Sequence, residues 1–225
     1  MSDHDTATDL DEIRAKLLDG ALNHAAFDGW TEQTLRHAAR DAGVSDLDVY
    51  RAFPGGAADL LQYSLDSADR AMVSAMLDLD LENMRIRDKI ASGVRIRLEQ
   101  AAPHKEAVRR ALNHLGLPHR APLAMKSLYR TVDLMWRTIG DTSTDYNFYT
   151  KRALLAGVYS STLLYWLNDR SEDHEATWAF LDRRIGNVMQ IEKTKAQLKK
   201  SGAHLPDPFR ILDRVAKRSR RPFRI

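Results

Sequence analysis

Between Leu154 and Leu167 the chain gives a helix almost nothing to solvate. Leu154, Leu155, Val158, Tyr159, Thr162, Leu163 and Trp166 recur at helical spacing, while Leu164, Tyr165 and Leu167 carry apolar character around the other side. A surface helix buries one stripe and exposes the rest to water. A helix with so broad a band is either central to a helical bundle or the wall of an apolar cavity, and the residues alone leave both open. Its first turn, with Phe148, Tyr149, Lys151 and Arg152, mixes rings and cations as protein interfaces often do.

The rest of the chain reads as helix too. Apolar positions from Leu10 to Phe27 break at Asp28-Gly29, and Thr31 then caps a second helix that stops at Gly43. Ser45 opens a short third helix that runs to Phe53 and ends at Pro54-Gly55-Gly56. Further helices are predicted from Ala57, over Ile86 to Ala101, over 104–115 and through Leu128, Val132, Met135, Trp136 and Ile139 to Gly140. The opening segment is the eighth and Ala176 to Leu198 the ninth. No useful β-alternation appears, so the fold class is all-α. After Ser201-Gly202 and two prolines, Phe209, Leu212 and Val215 fall at i, i+3, i+6 among Arg210, Arg214, Lys217 and Arg218, a short basic amphipathic helix.

The expected organisation is a disordered 1–9, a three-helix unit over 10–60, a helical body over 61–200, and a linker with a basic tail over 201–225. Charge follows that division. Residues 1–60 hold twelve acids against five bases, whereas 193–225 hold eleven bases against two acids. The tail therefore suits an anionic surface and the body does not. Without cysteine there are no disulfides or thiolate metal sites. The acidic, polar start lacks the features of a signal or transit peptide, and no window approaches a membrane span. A soluble, cytoplasmic bacterial chain is expected.

Chemistry-bearing motifs are scarce. There is no Gly-rich phosphate loop, no HExxH zinc pair and no Glu-x-x-His pair of a di-iron bundle. His37, His104, His114, His119, His174 and His204 are scattered and read as solvated or capping side chains. Neither a cofactor, a metal nor catalysis is expected.

The stretch GWTEQTLRHAARDAGVSDLDVYRAFPGGAADL resembles the helix-turn-helix of the TetR regulators, through Gly29-Trp30-Thr31, Ala42-Gly43-Val44-Ser45, Tyr50, Phe53 and Leu60. That resemblance implies a TetR-like bundle. In such a motif the amino-terminal residues of the recognition helix meet base edges, with phosphates close by. Here those residues include Asp46 and Asp48, and 28–60 carries three arginines against six acids. DNA affinity comes from cations neutralising phosphates, so no nucleic-acid partner is expected. A TetR-type regulator with an apolar ligand pocket is the alternative.

A second resemblance covers nearly the whole chain. GDTSTDYNFYTKRALLAGVY with its Trp-Leu-Asn-Asp end, the Met135-Trp136 pair and Val94-Arg95-Ile96-Arg97-Leu98-Glu99 are similar to the ubiquinone-biosynthesis accessory lipid-binding proteins. The resemblance implies a non-catalytic protein that binds isoprenoid quinone intermediates or another lipid. It would present them to the di-iron demethoxyubiquinone hydroxylase. Lipid lining then falls to Leu128, Met135, Leu155, Val158, Tyr159, Leu163 and Trp166. Hydroxylase contact falls to Asp145, Asn147, Phe148, Tyr149 and Arg152. Membrane contact, on the inner face of the bacterial membrane, falls to Phe209, Arg210, Leu212, Arg214, Val215 and Lys217. By analogy with TetR-like folds, a homodimer would form through the last two core helices, near 145–198.

Overall fold

The computed structural model describes residues 3–144 and 146–200; of residues 3–8, 146, 147, 189 and 191–200 it describes the backbone only. Nine α-helices follow one another there, and no strand occurs among the described residues. They are α1 (Asp3–Asp28), α2 (Glu32–Ala42), α3 (Asp46–Ala52), α4 (Ala57–Leu77), α5 (Ile86–Glu99), α6 (Lys105–Leu115), α7 (Ala121–Thr138), α8 (Tyr146–Asn168) and α9 (Glu175–Lys200). The described residues up to 182 form one unit and those from 183 a second. The contacts and the cavity described below belong to the first.

Local chemistry sets the helix ends. The Thr31 hydroxyl accepts from the Thr34 amide to cap α2, and Gly43 closes it in the left-handed region at φ 63° and ψ 28°. The Ser45 hydroxyl accepts from the Asp48 amide to cap α3 and donates to the Asp48 carboxylate at 2.7 Å. The start of α4 is satisfied from a distance, since Ala57 N donates to Glu32 Oε1 at 2.8 Å. The amino terminus differs from expectation. α1 begins at Asp3 rather than Leu10, because 3–9 contain no helix breaker and place acids where the helix dipole favours them.

One core joins the stretches divided above at residue 60. Leu17, Leu35, Phe53 and Leu60 pack with Leu61, Ala107, Ala111 and Leu115. Trp30 Nε1 donates to the Ala107 carbonyl at 3.0 Å, and Arg14 Nε to that of Ala52 at 3.1 Å. α1 and α2 cross closely at Gly20, where a β-carbon would lie 3.3 Å from Ala38 Cα. On the far side of α4, buried Asp69 accepts from Arg97 Nε at 3.3 Å, Arg130 Nη2 at 3.0 Å and Thr131 Oγ1 at 2.9 Å, tying α4 to α5 and α7. A buried carboxylate is tolerated only when paired and hydrogen-bonded in this way.

Candidate functional site

A cavity of about 240 Å³ lies among α1, α4, α5, α6 and α8. Leu18, Leu65, Ala68, Leu98, Ala111 and Leu163 give it apolar walls. Arg97 and Tyr159 give it a polar side, anchored by the contact of Arg97 with Asp69. Burial pushes the Tyr159 phenol above its ordinary pKa, against the opposing effect of the Arg97 charge. At neutral pH the phenol is therefore an uncharged hydroxyl able to donate.

Of the seven side chains expected to line a lipid pocket, Tyr159 and Leu163 reach this cavity. Leu128, Met135, Leu155, Val158 and Trp166 do not. α8 packs more along α7 than along any other helix, and of its expected lining residues only Tyr159 and Leu163 turn to the cavity. Met135 is fully buried beside Gly93 of α5. Trp166 is fully buried too, near the carboxy-terminal end of α8, with its ring edge-to-face with His174 at 5.8 Å and under Lys105 Nζ at 4.9 Å. The walls contributed by α1 and α6 had no counterpart in the sequence reading. Leu18/Leu22 and Ala107/Ala111/Leu115 show helical spacing, yet spacing alone does not say which two stripes face each other.

One residue of the run expected to meet a partner, Arg152, is turned inward. Arg152 is 2% exposed. Its Nε donates to Asp133 Oδ1 at 2.6 Å, and its Nη1 to Asp141 Oδ2 and to the Phe148 carbonyl, each at 3.1 Å. The guanidinium also lies 3.5 Å above the Phe148 ring. Lys151 Nζ adds a 2.6 Å contact to Asp141 and sits over the Trp136 ring at 5.3 Å, while Trp136 Nε1 donates to the Lys151 carbonyl. Burial pushes the Asp141 carboxyl up. Hydrogen bonds from Lys151, Ser143 and Arg152, with the Lys151 charge, outweigh it and hold the pKa at about 2. Arg152 is thus placed as a clamp between α7 and α8 and not as an exposed contact. Its companion Tyr149 is 67% exposed, and Phe148 is half-buried edge-to-face against it at 5.1 Å. Asp145 and the side chain of Asn147 lie outside the described residues, as do Phe209, Arg210, Leu212, Arg214, Val215 and Lys217.

The Trp-Leu-Asn-Asp end of α8 is a structural cap. Asp169 Oδ2 accepts from Thr177 Oγ1 and, at 2.9 Å, from Thr177 N, and Oδ1 accepts from Ser171 N and Oγ at 2.8 and 2.7 Å. Burial raises the Asp169 carboxyl, but these bonds prevail and hold it well below the usual carboxylate range. Lys105 donates to the Asp169 carbonyl and Arg109 to that of Leu167, which fastens α6 to the same turn. Helix α3 exposes Leu47 and Tyr50 beside Asp46.

Comparison with known proteins matches residues 121–192, the stretch holding α7, α8 and most of α9, to the COQ9 family. Over 202 residues the chain is 32% identical to "Ubiquinone biosynthesis protein COQ9, mitochondrial" of Rattus norvegicus, covering 87% of this chain and 64% of that protein. The chain belongs to the COQ9 family. A similar relative is the Homo sapiens protein of the same name, 31% identical over 201 residues, with 87% of this chain and 63% of that one covered. The chain thus spans a little under two thirds of the length of these COQ9 relatives. Among solved structures, the TetR transcriptional regulator of Nitrosomonas europaea superposes with a TM-score of 0.63 at 21% identity, over 78% of this chain and 97% of the regulator. The COQ9-family chain therefore has an all-α, TetR-like fold. Among its described residues no helix is long and apolar enough to cross a membrane.

Proposed function

We propose that this COQ9-family chain is a non-catalytic accessory protein of ubiquinone biosynthesis that binds the ring end of isoprenoid quinone intermediates and presents it to the demethoxyubiquinone hydroxylase. The cavity carries this reading. It combines leucine and alanine walls with polar groups at Ser64, Ser67, Arg97, Gln100, His104 and Tyr159, which suits a largely apolar molecule that carries a few oxygens. An engineered cavity of ~150 Å³ takes up one benzene. The 240 Å³ here is therefore room for a substituted ring and the start of its tail, not for a long polyprenyl chain. The remainder of the tail stays in the bilayer, and the protein shields only what it lifts out. Arg97 and the neutral Tyr159 hydroxyl would donate to ring oxygens.

The basic segment 209–218 would hold the chain at an anionic membrane surface, where each Lys or Arg contributes ~1 kcal/mol. Exposed Tyr149 and its neighbour Phe148 would form the contact with the hydroxylase, a role suited to aromatic anchors. Exposed Leu164 on α8 lies one residue from Tyr165, whose ring stacks on Phe180 of α9 at 4.5 Å. These residues would take part in the homodimer contact.

The test is the lipid that co-purifies with the chain from a quinone-producing host, identified by mass spectrometry, in the parent and in Ala111→Phe. The parent should carry a prenylated quinone or its precursor, and the variant, folded by circular dichroism, several-fold less. A parent free of prenylated aromatics, or a variant that retains its full load, refutes the assignment.

A further inference from the structure

The first two helices carry the same five-residue pattern, His-Ala-Ala-x-Asp. It occurs as His24-Ala25-Ala26-Phe27-Asp28 on α1 and as His37-Ala38-Ala39-Arg40-Asp41 on α2. At i, i+4 the histidine and aspartate of each copy share a helix face. The intervening alanines let the helices come close, since Ala25, Ala38 and Ala39 are buried in the core. The two copies consequently meet and exchange partners. Asp41 Oδ2 lies 2.6 Å from His24 Nε2, Asp28 Oδ2 lies 3.4 Å from His37 Nδ1, and the two imidazoles are 5.1 Å apart.

We propose that this crossing is a binding site for a divalent transition metal of the Zn²⁺ type, with His24, His37 and Asp28 as ligands. One donor atom from each of these three residues lies within 4.8 Å of the other two. A tetrahedral ion with bonds of ~2.1 Å needs donors ~3.4 Å apart. Small rotations of these partly exposed side chains would bring the three donors to that spacing. Two imidazoles with one carboxylate select Zn²⁺, Cu²⁺ or Ni²⁺ over Mg²⁺ and Ca²⁺, which prefer oxygen. Asp41 supplies the outer carboxylate that fixes the orientation of the His24 ring, as is usual around metal-bound histidine. The side chains of His24 and His37 are about 30% exposed, which leaves room for water as the fourth ligand. An ion here pins α1 to α2 and so stiffens the three-helix unit that supplies part of the cavity wall.

The experiment uses the full chain, stripped with chelator, and titrates ZnCl₂ by calorimetry and by thermal unfolding. One saturable equivalent is expected, with Tm raised by about 5–10 °C at a hundredfold excess over Kd. His24→Gln/His37→Gln should abolish both signals, and Asp41→Asn should weaken binding about 10–100-fold. Mg²⁺ should leave Tm unchanged. Co²⁺ bound to the unaltered chain should show the intense visible bands of a four-coordinate site, a readout independent of how well any variant folds. Absence of saturable Zn²⁺ binding, full binding by the double variant, or an equal response to Mg²⁺ overturns the assignment.

Discussion

Replacing Arg152 with alanine should unfold the junction of α7 and α8 well before it affects any partner. The side chain joins two carboxylates that are themselves poorly solvated, Asp133 at 15% and Asp141 at 6% exposure. Breaking a buried pair by removing one partner costs about 3–5 kcal/mol, because the charge left behind is uncompensated. Here the cost falls toward the lower bound, since Asp141 keeps Lys151 and Asp133 keeps the solvent-facing Arg137 at 2.7 Å. Loss of the cation over the Phe148 ring adds about 1 kcal/mol. A total of about 3–4 kcal/mol corresponds to a fall in Tm of about 6–16 °C for a chain of this size. Urea unfolding followed by far-ultraviolet circular dichroism at pH 7 measures it, with the m-values compared to exclude a change in the unfolded state. Arg152→Lys keeps a charge but cannot bridge both acids, and should fall between parent and alanine variant. Tyr149→Ala, at an exposed site, should stay within about 0.5 kcal/mol of the parent. If Arg152→Ala costs less than about 1 kcal/mol at unchanged m, the clamp is not structural, and Arg152 returns as a candidate contact residue.

Other outcomes follow from the same geometry. The Asp141 pKa of about 2 lies below its ordinary 3.8, so its stabilisation is complete above pH 3.8 and is lost as pH falls toward 2. Its contribution is of order 2 kcal/mol, and Asp141→Asn should flatten this part of the stability profile measured by urea midpoints. Gly20→Leu would press a side chain onto the Ala38 backbone and should destabilise by about 1–3 kcal/mol, read from the same midpoints. Glu32→Ala removes the acceptor of the Ala57 amide and should cost about 0.5–2 kcal/mol, with faster amide exchange confined to the first turn of α4.

Helix limits were legible because their causes are local. Thr31, Gly43 and Ser45 each act within a few residues of themselves, and the expected bounds of α2, α3, α5 and α6 hold to within a turn, whereas α7 begins at Ala121, about two turns before Leu128. The site was legible only in part. The family resemblance assigns Arg152 to a partner-contact run, and the residues alone do not decide the matter, since a cation beside aromatic rings looks alike on an interface and in a clamp. What separates the two is Asp133, nineteen residues away, which no local pattern connects to it. The broad apolar band of α8 has the same explanation. It announced burial, and Tyr159 with Leu163 does reach the cavity, but Leu155, Val158 and Trp166 serve other contacts. The matching pentapeptides at His24 and His37 were visible in the sequence. Their meaning depended on the crossing of α1 and α2, which sequence spacing does not give.

Leu18, Leu22 and Trp30 stand in the wall of the cavity, so α1 and the turn after it are one side of a vessel and not a detachable attachment. A molecule that fills the space is bound only by the intact assembly and would brace that side against the others. Amide exchange in α1 should then slow together with that in α6, although the two helices are some eighty residues apart in the chain. A fragment beginning at α4 would be a cup with one side missing, unable to keep its contents from water whatever the rest of it retained.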